Sequence, residues 1–76
     1  MTNFNIGEYI EVHIGDGSYD DEGYSYFFKM DLEGYDEMDI VNVFIKEGNV
    51  QYVEVVDDES AISWAGDNKF SDFLNK

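Results

Sequence analysis

Residues 39–56 read DIVNVFIKEGNVQYVEVV, and the way this stretch folds decides the architecture. Side chains that alternate at period two mark a strand with two distinct faces. Over Asp39–Lys46, Val41, Val43 and Ile45 oppose Ile40, Asn42, Phe44 and Lys46. Over Val50–Val56, Val53 and Val55 alternate with Val50, Tyr52, Glu54 and Val56. Between them Glu47-Gly48-Asn49 fits a tight hairpin loop, with Gly48 or Asn49 at positive φ. That hairpin predicts Val43 opposite Val53 and Val41 opposite Val55 on one face. On the other face it sets Phe44 opposite Tyr52 and Ile40 opposite Val56.

The same period runs through Tyr9–Ile14, where Ile10, Val12 and Ile14 share a face. It recurs in Tyr24–Leu32, where Tyr24, Tyr26, Phe28, Met30 and Leu32 do so. Short connections rich in Gly and Asp imply antiparallel neighbours. Beyond Val56 the period changes. Phe70, Phe73 and Leu74 recur at helical spacing, with Asp67 placed as a cap, which predicts a helix from about Asn68 to Asn75. Residues 60–64 fit either a fifth strand or, preferably, a helical turn capped by Asp58 and ending at Gly66. Ile62 and Trp64 are expected in the core on grounds of size. The predicted fold is α+β: a four-stranded antiparallel meander, five-stranded if 60–64 joins it, with a short C-terminal helix packed on one face.

Residues 1–76 form a single small domain, since a chain of this length cannot fill two cores. It carries 18 Asp and Glu against 4 Lys and no Arg, a net charge of −14. Yet 43% of the residues are hydrophobic and 17% aromatic, which excludes a disordered acidic tail. With no cysteine there is no disulfide, thiolate nucleophile or Cys-type zinc site. The first nine residues lack the basic and apolar regions of a signal peptide, and no apolar run approaches the ~20 residues of a membrane span. A chain this acidic is repelled by nucleic acid and by anionic membranes. The expectation is a cytoplasmic protein with a basic partner, no direct nucleic-acid binding and no membrane association.

The catalytic inventory is poor. His13 is the single histidine, placed by alternation on the strand face of Tyr9 and Glu11. No nucleophile elbow, phosphate-binding loop or zinc-protease motif occurs. Asp16, Ser18, Asp20 and Glu22 begin like a calcium loop, but Asp21 and Phe27 stand where an EF-hand needs Gly and Glu. No enzyme, metal or cofactor is expected.

Charge placement is more telling. Asp16, Asp20, Asp21 and Glu22 fall in the first loop; Asp31, Glu33, Asp36, Glu37 and Asp39 in and beside the second; Asp57, Asp58 and Glu59 after the last strand. Alternate loops of a meander lie at opposite ends, roughly 25 Å apart for strands of this length. A charge of −14 exceeds the range of about 2–8 that keeps a small domain soluble. These twelve acids are the candidate partner-binding groups. Phe27, Ile40, Phe44 and Tyr52 fall on the face opposite the first apolar set, a candidate surface for a partner or a homodimer.

In size, acid excess and aromatic-rich antiparallel sheet, the chain resembles the small phage-encoded DNA-mimic inhibitors: anti-restriction and anti-CRISPR proteins, inhibitors of uracil-DNA glycosylase and sliding-clamp inhibitors. The resemblance is one of composition over the whole chain and transfers no residue. It implies carboxylates on a rigid scaffold that occupy the positively charged channel of a DNA-handling protein, inside a bacterial host cell. The alternatives are an immunity protein against a basic nuclease toxin, a small acidic adaptor, and adaptation to high salt.

Overall fold

In the computed structural model, which describes residues 3–16, 19–20 and 22–75, the stretch 39–46 is not a strand. It lies in helix α1, Glu37–Phe44, prolonged by a 3-10 turn over Ile45–Glu47. The cause is local. Asp36 and Asp39 form a reciprocal capping box, Asp39 N–H donating to Asp36 Oδ1 at 2.9 Å and Asp36 N–H to Asp39 Oδ2 at 3.1 Å. Glu37 and Asp39 add negative charge to the first turn, where the helix dipole favours it. Ile40 and Phe44, one turn apart, are both buried. Burial and capping together outweigh the modest helix penalty of the β-branched residues, a few tenths of a kcal/mol to about 0.7 kcal/mol each.

The sheet therefore has three strands and not four or five: β1 (Tyr9–Ile14), β2 (Tyr24–Lys29) and β3 (Val50–Val56), in the order β2-β1-β3. Both neighbours are antiparallel to β1, so β2 and β3 run the same way and α1 is the crossover between them. The expected meander and the hairpin of 39–46 with 50–56 are overturned. Val53 pairs with Val12 and Val55 with Ile10, while Tyr52 pairs with His13 across a register shift at His13/Ile14. Gly48, at φ +146, turns the chain into β3 as the hairpin reading required of it or Asn49. A Cβ there would come within 2.9 Å of the Ile14 side chain.

Past β3 lie two short helices, α2 (Glu59–Ala65) and α3 (Phe70–Leu74). Asp58 caps α2, accepting from Ala61 N–H at 2.6 Å, and Gly66 ends it at φ +54. The helical alternative for 60–64 thus holds and the fifth strand does not. Helix α3 lies within the expected span, but it starts from Lys69, whose N–H donates to Asp72, and not from Asp67.

One face of the sheet carries the core. Ile10, Val12, Ile14 and Phe28 meet Ile40 and Phe44 of α1 and Phe70 and Phe73 of α3, all essentially buried. Phe28 is the hub, with ring centroids 5.6 Å from Phe44, 5.6 Å from Phe70 and 5.4 Å from Phe73. Offset and tilted aromatic pairs at such distances add to their area burial. Helix α2 lies instead towards the other face, where Trp64 meets Phe27. Ala61 and Ala65 are its buried residues. Ile62 and Trp64 are exposed, contrary to expectation, because the aromatic core on the first face is already filled. No described helix is long and apolar enough to cross a membrane.

Candidate functional site

Strand register fixes which acids share an end. Tyr9 stands opposite Lys29 and Val56 at one end, and Ile14 opposite Tyr24 and Val50 at the other. Asp31, Glu33, Asp57, Asp58 and Glu59 follow directly from the first end. Asp16, Asp20 and Glu22 belong to the loop leaving the second; Asp21 lies outside the described residues. Glu47 joins this second group: Tyr24 donates to its carbonyl at 3.2 Å and Tyr26 to its carboxylate at 3.3 Å. Burial, with Tyr24 and the Glu47 charge beside it, pushes the Tyr26 phenol up to about 12. None of the described charged side chains is buried, so their field is spent on solvent or on a partner.

Several candidate acids also hold the fold, which composition could not reveal. Asp36 and Asp39 cap α1, and Asp58 caps α2. Asp31 accepts from Ser71 twice, from the backbone N–H at 3.0 Å and from the hydroxyl. Burial, the largest influence, raises the Asp31 carboxyl, but the Ser71 bonds, its own backbone and the Lys69 charge together hold it below its usual value. A depressed carboxyl stabilises the fold above its unfolded value of about 3.9, and the contribution disappears as pH falls through the folded one. Asp31→Asn should therefore cost about 1 kcal/mol at neutral pH, the scale of a hydrogen bond to a charged group at a partly exposed site. In urea titrations the gap between variant and parent should close below about pH 4.

The second sheet face holds a polar chain that the sequence pattern does not reveal. Tyr52 donates to Glu11 Oε2 at 2.9 Å, and Ser25 donates to the same oxygen at 2.7 Å. His13 Nδ1 lies 2.9 Å from Ser25 Oγ, and the His13 ring stacks on Tyr52 at 5.1 Å. Because the Ser25 proton is committed to Glu11, Nδ1 must be the donor to Oγ. That polarity is wrong for a histidine base activating a serine. Glu11 also stands opposite Glu54, a like-charge pairing that a sheet normally avoids. Burial, the Glu11 bond and the two carboxylate charges raise the Tyr52 phenol, so it remains a donor at neutral pH. Among the described residues no three His, Asp or Glu side chains gather as a metal site. One cleft of about 220 Å³ is lined by Tyr9, Lys29, Gly66, Asp67, Asn68 and Lys69.

The apolar candidates separate. Ile40 and Phe44 are core residues, 0% and 1% exposed, so no surface includes them. Only a strand over 39–46, with Val41 and Val43 turned inward, would set them outside. Phe27 is half-buried against Trp64, and Tyr52 is exposed within the polar chain. The four do not form one patch.

Comparison with protein-family models, with curated proteins and with solved structures found no match.

Proposed function

We propose that this protein is a DNA-mimic inhibitor, which occupies the positively charged channel of a DNA-handling protein and thereby excludes DNA. The observation that carries the reading is surface charge per unit length. The molecule measures 35 × 26 × 25 Å and bears a net charge of −14, with no described charged group buried. Duplex DNA carries one charge per about 1.7 Å, or roughly 20 over the same 35 Å. The chain thus approaches two thirds of the duplex charge density, about one helical turn long. A cleft that focuses its field on DNA would steer this anion in the same way. Asp36, Asp39 and Asp58 hold their helices and yet none of them is buried, so the caps belong to the same surface.

The test is affinity capture on the immobilised protein with elution by rising salt, followed by DNA competition on whatever elutes. The expected partner is a basic DNA-binding protein released as salt screens the contact, on which DNA and this protein exclude one another. An acidic partner, or one that binds both at undiminished affinity, would overturn the reading.

A further inference from the structure

We infer that Trp64, seated on Phe27, is the close-contact anchor of the acidic surface, and that its occupant is an arginine-bearing basic face of a partner protein. The partner's class rests on the mimic reading; the contact itself rests on the packing of α2 and the exposure of its indole. Helix α2 is held down through Ala61 and Ala65, both buried. Methyl groups at these positions let the helix lie close, and they leave Trp64 beside the contact line. The indole meets the Phe27 ring edge-on at 5.2 Å and 61°. It remains 66% exposed, the chain's one tryptophan and its largest side chain set outside the core.

Acids gather where the chain enters the helix. Asp57, Asp58 and Glu59 lead into α2, while Asp67, past its Gly66 cap, lines a cleft with Lys29 and Lys69. An exposed indole offers a planar π face for a cation, and the carboxylates that lead into α2 offer acceptors for its N–H groups. Guanidinium fits both, because it stacks on aromatic faces and binds carboxylates with a fork of donors; an ammonium is a more strongly hydrated point charge. Among the described residues Lys29 lies over a ring, 5.9 Å from the Tyr9 centroid. A second copy of the chain is a poor occupant, since it would bring the acidic ends of two α2 helices together. Tryptophan and arginine are also the residues that most often dominate protein interfaces.

Trp64 reports on its own contact, as the chain has no other indole. The probes are ten-residue oligo-arginine and oligo-lysine peptides, titrated at low and at physiological salt by Trp emission and by calorimetry. The expected result is a saturable change in Trp64 emission with oligo-arginine, exceeding that with oligo-lysine at equal occupancy. Trp64→Ala should weaken oligo-arginine binding about fivefold, the scale of an exposed cation–π contact, and oligo-lysine binding less. Circular dichroism checks that the variant folds, and emission from the unmutated protein does not depend on it. Peptide bound with no change in emission, or a folded variant that binds oligo-arginine like its parent, overturns the anchor. Neither outcome touches the mimic reading, which fails separately if the captured partner keeps its DNA.

Discussion

Phe44→Ala should remove about 3–5 kcal/mol of stability, as truncation of a buried phenylalanine does. A domain of this size has only about 4–11 kcal/mol in total, so this one truncation removes a large fraction of it. The ring is 1% exposed and touches Tyr26, Phe28 and Phe73, with centroids 5.3, 5.6 and 4.9 Å away. Little can collapse into the space, because Phe28 is itself held by Phe70, and Phe73 by Phe28 and Tyr26. Val43→Ala, at a half-buried position of the same helix, should cost only about 1 kcal/mol. A strand over 39–46 would reverse this order, with Val43 inside and Phe44 out. Urea unfolding of the two variants, followed by circular dichroism, therefore tests α1 and the topology in one comparison.

The second large effect is on association. Charge reversal of Glu33, Glu37, Asp57 and Glu59 to lysine removes a field from one end of the molecule without touching a described capping bond. Circular dichroism checks that α1 and α2 persist with Glu37 and Glu59 gone from their first turns. The rate of association with the captured DNA-binding partner should fall about 10–100-fold at low salt, the range of electrostatic steering. The deficit should shrink as salt rises, since screening already weakens the parent. Reversal of any single one of these exposed acids should do far less. Asp36, Asp39 and Asp58 must be left in place. Loss of one of these caps should cost about 0.5–2 kcal/mol and confuse lost affinity with lost fold. Stopped-flow association rates over a salt series decide the matter; a rate unchanged by the four reversals would leave steering without support.

Much of the architecture can be read from the chain. The strand at Tyr9–Ile14 carries unbroken alternation, and the pattern at Val50–Val56 is a strand with Val53 its one buried residue. The alternation from Tyr24 holds as a strand through Lys29. Asp58, Gly66 and the Phe70/Phe73 spacing mark helices that the structure contains. Residues 39–46 mislead because their apolar positions fit two periods at once. Val41, Val43 and Ile45 satisfy period two, while Ile40, Val41 and Phe44 satisfy 3.6. β-branched side chains tilt the balance towards a strand. The deciding signal is the Asp36-x-x-Asp39 box, which looks like two more loop acids in so acidic a chain.

One wrong element inverts its neighbours, for a physical reason. A one-residue change of face reverses every assignment on a strand. A strand over 39–46 thus turns Ile40 and Phe44 into a surface, while size alone sends the real exposed aromatic, Trp64, to the core. The polar chain of Glu11, Ser25, His13 and Tyr52 needs β3 beside β1, a pairing of residues forty or so apart that no local pattern encodes.

That pairing has a consequence for how the protein comes into being. β1 is the middle strand, yet it is made first, and Tyr9 must wait for Val56 before its second edge is closed. Synthesis releases the N-terminal part early, at roughly 5–20 residues per second, so β1 and β2 emerge with one side of the sheet open. Long-range pairing of this kind folds slowly, because loop closure must precede any reward. During that interval Ile10, Val12 and Ile14 lack the cover of α3, which follows β3 in the chain. The chain's mutual repulsion then serves the nascent molecule: twelve of its 18 acids precede β3, and they hold half-made copies apart until the last strand arrives.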